Sequence, residues 1–266
     1  MFDKLVHKFF GLPYKLAVPV DVRRKDERAT LVFLHGVAAS SKTWADLVKQ
    51  LRKDDAFQNV RLVSIDLLGF GKSPAPSWSR YGVQDQIRAI KRTIGSLGVK
   101  SPFHLVGHSM GSLLATEYAA AYGEVESLVL VSPPFMTPAE QRIPSDVLYA
   151  AMLDNLRKAA QSKGGKKLVG VVEKFSSFEA RYADTPAFRR SMDNVVLKGR
   201  AWHEVQHLGI PVLMIHGTFD SVVSRANLVK LAKHRHITLA ESANGHSVSP
   251  RRVPFVVQQL KNVAKG

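Results

Sequence analysis

The sequence predicts an α/β fold in which a mostly parallel sheet is covered by helices on both faces. Apolar runs of strand length recur along the chain and alternate with helical patterns. Strands that are buried on both faces of a parallel sheet produce continuous apolar runs of this kind. With 266 residues, of which 45% are hydrophobic, the chain is long enough to bury a large core. We therefore expect one compact α/β domain.

Six apolar runs are predicted to form strands, and one segment between them has the pattern of an amphipathic helix. In residues 84–97, Ile87, Ile90 and Ile94 recur at the spacing that places them on one helical face. The predicted strands, in chain order, are residues 31–34, 60–65, 103–106, 125–131, 211–217 and 237–240.

The pattern G-H-S-M-G at residues 107–111 lies between a predicted strand and a predicted helix at 113–121. This order of strand, sharp turn and helix is that of a nucleophile elbow, in which a strained turn exposes the serine. Small residues must flank the serine, and Gly107 and Gly111 meet that need. The short pattern also arises by chance in glycine-containing turns, but its context favours Ser109 as a nucleophile.

A serine hydroxyl needs a general base and a carboxylate that orients the base, and after an elbow these follow in the order Asp or Glu, then His. Asp220 comes three residues after the predicted strand 211–217, and His246 follows the last predicted strand behind a glycine. Open parallel sheets place their sites at this edge. The other histidines lie in helical, connecting or basic stretches, and His108 is expected to pack or hydrogen-bond locally. We therefore predict a triad of Ser109, His246 and Asp220.

The negative charge that develops on a substrate carbonyl needs hydrogen-bond donors. In this architecture one donor is the backbone N–H after the nucleophile, here Met110, and the other comes from the loop after an earlier strand. The small-residue loop 35–40 follows the first predicted strand, and we assign the second donor to the Val37 N–H. His35 and Gly36 are expected to contribute to substrate binding, although this pair also fits an ordinary strand-ending turn.

Five motifs together make the chain resemble the α/β-hydrolase superfamily, and they span residues 31–250. The resemblance implies a mostly parallel sheet flanked by helices, a helical cap inserted after the sixth strand, and the chemistry of a serine hydrolase that needs no cofactor. In chain order the motifs are His35-Gly36, D-x-x-G-x-G-x-S at residues 66–73, the elbow around Ser109, G-x-x-D at residues 217–220, and Gly245-His246.

Differences from particular members of the superfamily narrow the expected reaction. Haloalkane dehalogenases and epoxide hydrolases use an aspartate where this chain has Ser109. Carbon–carbon bond hydrolases have tryptophan directly after the catalytic histidine, where this chain has Ser247, and proline iminopeptidases usually have it beside the nucleophile, where this chain has Met110. Carboxylesterases, lactonases and cofactor-free haloperoxidase-like enzymes commonly show G-H-S-M-G.

The resemblance thus implies cleavage of small carboxylic esters. Lactone hydrolysis, acyl transfer and perhydrolysis are alternatives, because they use the same triad and differ in the nucleophile that reaches the acyl-enzyme. A binding protein that kept the fold without catalysis is an alternative of a different class, since a fold does not by itself give a function.

Residues 135–205 carry helical patterns where further strands would otherwise follow, and the resemblance implies that they form the cap. The core domain would then comprise residues 1–134 and 206–266. The residues expected to line the substrate pocket, unless they pack the cap onto the sheet, include Met136, Met152 and Trp202.

Basic residues outnumber acidic ones by 38 to 22, which gives a formal net charge of +16. Such a charge can attract nucleic acid, anionic lipid or acidic substrates. The basic residues are nevertheless scattered, with small clusters such as Arg251-Arg252, and no nucleic-acid recognition motif accompanies them. We expect a solvated basic surface and no specific nucleic-acid partner.

No run approaches the ~20 apolar residues of a membrane span, and residues 2–10 lack the apolar core and cleavage site of a secretory signal. The absence of cysteine excludes disulfides and thiolate ligands, and no acidic or histidine cluster has the spacing of a metal site. We expect a cytoplasmic protein without metal or cofactor that acts on a small-molecule ester or lactone. The sequence indicates no particular oligomeric state.

Overall fold

The computed structural model describes residues 7–8, 11–100, 102–142, 179–182 and 185–263. The strands within those ranges are β1 (Val20–Val22), β2 (Ala29–Leu34), β3 (Val60–Ile65), β4 (Phe103–His108), β5 (Val125–Val131), β6 (Val212–Gly217) and β7 (Ile237–Ser242). They form one sheet in the order β1-β3-β2-β4-β5-β6-β7. Strand β1 runs antiparallel to β3, and all other neighbours are parallel. The predicted, mostly parallel sheet is confirmed.

Each of the six predicted runs overlaps one strand of this sheet, from β2 to β7. Strand β1 was not predicted, because three residues at the edge of a sheet give no apolar run of recognisable length. The segment 135–205 follows β5, which is the fifth strand of the described sheet, whereas the resemblance placed the insertion after a sixth strand.

The helices that flank the sheet include the predicted amphipathic one. Ile87, Ile90 and Ile94 are buried along one side of α2, and α4 continues directly into a π-helical turn at Met192–Leu197. The helix bounds are α1 (Ala45–Leu51), α2 (Val83–Ser96), α3 (Met110–Tyr122), α4 (Pro186–Ser191), α5 (Ala201–His207), α6 (Arg225–Leu231) and α7 (Val253–Val263).

Alternate side chains of the strands enter two separate apolar cores, one on each face of the sheet. In β5, Leu128 and Leu130 belong to the core beneath α2 and α3. Val129 and Val131 belong to the core beneath α1 and α7. Because apolar side chains fill both faces, polar chemistry is confined to the edges, and parallel strands place it at their carboxyl ends.

Part of the segment expected to form a cap packs directly on this core. Phe188, Val195 and Val205 are buried in the same apolar cluster as the residues of α3. Residues 143–178 of the predicted cap lie outside the described residues. The division of the chain into a core and a cap therefore stays a prediction.

The sequence predicted that Arg251 and Arg252 form a basic cluster on the surface, and this prediction is wrong for Arg252. Arg251 is exposed, but Arg252 is fully buried. Arg252 directly precedes α7, four residues before Val256 and eight before Leu260, and both of these are buried. The helical spacing therefore turns Arg252 towards the core, although its neighbour in sequence faces solvent.

No helix in the described part of the chain combines the length and the apolar composition needed to cross a bilayer. The same residues contain no group of three or more His, Asp or Glu side chains arranged to hold a metal ion.

Candidate active site

Ser109 occupies a sharp turn between β4, which ends at His108, and α3, which begins at Met110. Its backbone has φ 51° and ψ −122°, a conformation that L residues rarely adopt and that costs on the order of 1–3 kcal/mol. The Ser109 N–H donates to the carbonyl of Val131 at 3.0 Å, which fixes the turn to the end of β5. The strand-turn-helix geometry expected of an elbow is present.

The glycines on either side of Ser109 are required by close backbone contacts. A Cβ added at Gly111 would lie 2.3 Å from the carbonyl oxygen of Leu34, and one added at Gly107 would lie 2.5 Å from the carbonyl oxygen of Gly111. Real Cβ atoms essentially never approach backbone so closely. Substitution at either position would push α3 away from the sheet and displace the serine.

His246 joins Ser109 and Asp220 in one hydrogen-bonded chain. Its Nε2 lies 3.0 Å from Ser109 Oγ, and its Nδ1 lies 2.9 Å from Asp220 Oδ2 and 3.1 Å from Oδ1. Because a carboxylate only accepts, Nδ1 carries the proton of the neutral ring. Nε2 is then the free acceptor towards the serine hydroxyl, which is the tautomer that a general base needs.

The Asp220 side chain is completely buried, whereas 24% of the His246 side chain is exposed. The N–H groups of Val222 and Val223 donate to Asp220 Oδ1 at 2.9 and 3.2 Å. Burial alone would raise the pKa of the Asp220 carboxyl, but the hydrogen bonds that it accepts, first among them the one from His246, outweigh burial and hold the pKa at about 2. The carboxylate is therefore ionised wherever the protein is folded near neutral pH.

Backbone contacts hold the loop that carries Asp220 against the loop that carries His246. Beyond β6, the Phe219 N–H donates to the carbonyl of Asn244 at 3.0 Å. A Cβ at Gly217 would lie 2.2 Å from the same carbonyl oxygen, so a larger residue there would separate the two loops. We refer to residues 217–223 and 243–247 as the acid and base loops.

His108 makes a long-range contact instead of the local one expected from the sequence. Its Nε2 lies 3.0 Å from the carbonyl oxygen of His246, and since a carbonyl only accepts, Nε2 carries the proton. Burial, reinforced by the neighbouring His246, lowers the pKa of His108 to about 3. His108 is thus a neutral donor that holds the backbone of the candidate base.

On the other side of Ser109 runs the loop of residues 35–41, which we call the oxyanion loop after its predicted role. A Cβ at Gly36 would lie 3.1 Å from the Cβ of Ser109, so the loop passes directly beside the candidate nucleophile. Val37 is half-buried there, and Ala38 adopts φ 51°. Met110 is the first residue of α3, where backbone N–H groups have no partner within the helix.

The His35 ring lies behind the oxyanion loop and is fully buried. Its Nε2 accepts from the Leu67 N–H at 2.9 Å, so its Nδ1 carries the proton and donates to the Gly36 carbonyl at 2.7 Å. Burial lowers the pKa of His35, which keeps the ring neutral. Both nitrogens are occupied, and the ring has no polar atom left for a substrate.

Asp66, the first residue of the D-x-x-G-x-G-x-S motif, anchors the oxyanion loop, a role that the sequence did not suggest. Its Oδ1 accepts from the Ser41 N–H at 2.7 Å and its Oδ2 from the Lys72 N–H at 2.8 Å. At Gly71, with φ 58°, a Cβ would lie 2.1 Å from Asp66 Cγ. The spacing of aspartate and glycines in the motif therefore reflects a backbone wrapped around a buried carboxylate.

Of the three residues predicted to line the substrate pocket, the structure describes Met136 and Trp202. Met136 is half-buried in the loop after β5. Trp202 is half-buried on α5 and packs against the apolar core. Met152 lies outside the described residues.

A family model described as "alpha/beta hydrolase fold" matches residues 29–173, just over half of the chain. A probable lysophospholipase, BODYGUARD 2 of Arabidopsis thaliana, is 35% identical over 122 residues, which are 46% of this chain and 26% of the relative. A monoacylglycerol lipase, abhd6-B of Xenopus laevis, is 34% identical over 118 residues, 43% of this chain and 34% of the relative. The match thus spans about a quarter to a third of the length of these curated relatives.

Among solved structures, an esterase from Exiguobacterium antarcticum superimposes with a TM-score of 0.72 at 17% identity. The superposition covers 96% of this chain and 100% of the esterase. At that identity the likeness demonstrates a shared fold.

Proposed function

The chain belongs to the α/β-hydrolase family, and from that premise we propose that it is a serine hydrolase that cleaves small carboxylic esters through an acyl-enzyme on Ser109. The observation that carries the proposal is the unbroken hydrogen-bonded chain from Ser109 Oγ through His246 to Asp220. The tautomer of His246 in that chain suits a general base.

In the proposed mechanism Ser109 Oγ attacks the ester carbonyl while its proton moves to His246 Nε2. The Asp220 carboxylate stabilises the imidazolium that results. The N–H groups of Met110 and Val37 are the proposed donors to the oxyanion. His246 then protonates the departing alcohol, and a water molecule activated by the same imidazole hydrolyses the acyl-enzyme.

The sequence of the proposed cap supports a preference for small esters. Residues 135–205 carry many basic side chains, whereas a lid that opens onto an oil surface needs a large apolar face. A covered pocket of modest volume accommodates short acyl groups, and an extra methylene contributes its ~0.8 kcal/mol only where there is room to bury it.

A second candidate is hydrolysis of lipid monoesters. The names of the curated relatives, a probable lysophospholipase and a monoacylglycerol lipase, favour it. The two candidates share the triad and differ in the length of acyl chain that the site accepts.

Covalent labelling tests the proposed nucleophile, and a series of esters of different acyl length tests the proposed preference for small substrates. A fluorophosphonate should label the wild-type protein on Ser109 and leave Ser109→Ala unlabelled. Absence of labelling in the folded wild type would instead indicate a binding protein that kept the fold. Among p-nitrophenyl esters, kcat/KM should be highest at roughly two to six acyl carbons.

Other outcomes of the same assays identify the alternatives. A maximum at about twelve carbons or more, or activation at the solubility limit of the substrate, would favour the lipid monoester candidate. Faster turnover of lactones than of open esters would identify a lactonase. Products formed with added alcohol or peroxide would identify acyl transfer or perhydrolysis.

A further inference from the structure

Arg252 is a guanidinium that is fully buried among the strand ends and loops that carry the candidate triad. Burying a cation costs several kcal/mol unless hydrogen bonds and opposite charge compensate it. Among the described residues no carboxylate forms a direct ion pair with Arg252. Its compensation must therefore come from the polar groups around it.

Those groups belong to three different parts of the chain. Nη1 donates to Ser132 Oγ at 2.8 Å, to the Gly245 carbonyl at 3.0 Å and to the His246 carbonyl at 3.2 Å. Nη2 donates to the carbonyl of Ile215 at 3.0 Å. One planar side chain thus joins the end of β5, the strand β6 and the base loop.

Ser132 extends this contact to the candidate acid. It is fully buried and close enough to the Asp220 carboxylate to lower the pKa of that carboxyl. Since a guanidinium only donates, Ser132 Oγ accepts from Arg252 at 2.8 Å, and its own proton stays available to the neighbouring carboxylate. The residue has φ 51°, and its N–H donates to the Ile215 carbonyl at 2.8 Å, so the strained turn aims the hydroxyl between the two charged groups.

We infer that Arg252 is a positioning residue for the triad: its guanidinium fixes the base through the carbonyls of Gly245 and His246 and fixes the acid through the hydroxyl of Ser132. This inference rests on the proposed function of Ser109, His246 and Asp220. Ser132 is a second positioning residue, because it accepts from the guanidinium and acts on the pKa of the carboxyl.

The positive charge of Arg252 and the negative charge of Asp220 stabilise each other in this buried arrangement. Burial lowers the pKa of Arg252 to about 10, and the charge of Asp220 opposes that effect. Arg252 is therefore still a cation near neutral pH, and the buried carboxylate of Asp220 has a counter-charge at the far side of Ser132. With His108 donating to the same His246 carbonyl, the backbone of the candidate base is held by two donors.

Three variants and one matched control test the inference. Arg252→Met keeps an unbranched apolar side chain but removes charge and donors, and Arg252→Lys keeps the charge without the planar fork. Ser132→Ala removes the hydroxyl between the two charged groups, while the guanidinium keeps the carbonyls of Gly245, His246 and Ile215. Arg251→Met is the control, because Arg251 is the exposed neighbour of Arg252. Each is assayed for kcat and KM on an activated ester, for its thermal midpoint, and for the pH profile of kcat/KM.

We expect Arg252→Met to lower kcat about 10- to 100-fold with little change in KM, because small displacements of a catalytic group have effects of that order. Arg252→Lys should recover only part of the loss, and Arg251→Met should stay within about twofold of wild type. If Arg252→Met does not fold, Ser132→Ala, which should lower kcat about three- to tenfold by loss of one hydrogen bond, decides the question.

The pH profile separates positioning from a general effect on stability. Removing the cation or the Ser132 hydroxyl leaves the Asp220 carboxylate more basic and thus favours the protonated imidazole beside it, so the acidic limb of kcat/KM should move to higher pH. Burial lowers the pKa of both His108 and His216, so burial favours the neutral form of both rings.

A lower thermal midpoint with wild-type kcat and an unmoved acidic limb, in Arg252→Met or in Ser132→Ala, would overturn the inference and leave Arg252 a stabilising residue. Full recovery of kcat by Arg252→Lys would also overturn it, because the fork would then be dispensable. Failure of the proposed function is distinguishable, since in that case folded wild-type protein would neither turn over esters nor react with a fluorophosphonate.

Discussion

The oxyanion loop and the acid and base loops flank the same serine, and each side is fixed by one buried charged side chain, but the two charges are opposite. Asp66 holds the oxyanion side by accepting from the N–H groups of Ser41 and Lys72. Arg252 holds the other side by donating to carbonyls, among them those of Gly245 and His246. Each anchor pairs with the backbone groups that would otherwise lack a partner. These are N–H groups on the oxyanion side and carbonyl groups on the acid and base side.

The two sides also differ in their contact with residues 179–182, a described part of the proposed cap. On the oxyanion side, Ser40 Oγ donates to Glu179 Oε1 at 2.6 Å, and the Glu179 N–H donates to the Ala38 carbonyl. The Gly71 N–H donates to Tyr182 Oη at 2.8 Å. The contacts of Arg252 and His108 lie instead within the sheet edge and its loops. We therefore expect changes on the acid and base side to act on kcat, and changes at Glu179 to act on substrate binding.

Removing the candidate nucleophile should have the largest effect, because it lies between the two sides and depends on both. Ser109→Ala should lower ester turnover about 10⁴-fold or more without loss of fold, since alanine keeps the Cβ and the backbone of the elbow. Steady-state kinetics and circular dichroism measure the two parts of this expectation. Ser77→Ala, at an exposed serine, is the control, and near wild-type turnover by Ser109→Ala would remove the serine from the mechanism.

Asp220→Asn tests the acid loop. An asparagine can donate to His246 Nδ1 and so stabilise the tautomer whose Nε2 carries the proton, which cannot accept from Ser109. We expect kcat to fall on the order of 10³- to 10⁴-fold, against no measurable change in Asp46→Asn on the exposed side of α1. Unchanged turnover in Asp220→Asn would move the acid to another carboxylate.

The same carboxylate predicts a dependence of stability on pH. Its pKa is lowered from 3.8 to about 2 in the folded protein, so it contributes about 2 kcal/mol that is present above its unfolded pKa and is lost as pH falls through about 2. Chemical denaturation at pH 7 and at pH 2 to 3 should show a smaller acid loss of stability in Asp220→Asn than in wild type. An equal loss in both proteins would contradict the lowered pKa.

The sequence predicted most of the fold and the three residues of the hydrogen-bonded chain, because these depend on local patterns. An apolar run followed by a turn residue is visible in the sequence, and so is a glycine on each side of Ser109. The anchors were not predicted, because burial and long-range contacts define them. Arg252 resembled a surface residue beside Arg251, and only its spacing to Val256 and Leu260 could have indicated otherwise.

Asp66, the anchor on the oxyanion side, could not be predicted from the sequence for the same reason. The D-x-x-G-x-G-x-S motif was visible, but its role required knowing that the chain returns to Ser41 from 25 residues away. Likewise the contact of His108 with His246 spans 138 residues. Patterns in sequence report neighbours within an element, whereas such anchors connect elements that only the folded sheet brings together.

Asp66→Asn should have a smaller effect than the triad variants, because it loosens the oxyanion loop without removing a reacting group. Asparagine offers one acceptor oxygen in place of two, so one of the two buried N–H groups loses its partner at a cost of about 1–3 kcal/mol. We expect kcat to fall roughly 10- to 100-fold through displaced oxyanion donors, with Asp26→Asn, at an exposed aspartate, as the control. Wild-type kcat in a destabilised Asp66→Asn would show that the loop keeps its geometry without this anchor.

Glu179→Gln should have the smallest effect and should appear mainly in KM. The charge of Glu179 strengthens its hydrogen bond from Ser40 and its ion pair with Arg181, which joins Arg181 Nη2 to Glu179 Oε2 at 2.7 Å. The amide keeps the shape and weakens both contacts by about 1 kcal/mol or less, because the arginine is largely exposed. KM for an activated ester should rise severalfold, while kcat stays within about twofold.

Glu126→Gln, at an exposed glutamate on β5, should change neither constant. A fall in kcat with unchanged KM would place Glu179 with the anchors of the reacting groups and would remove the expected difference between the two sides of the site.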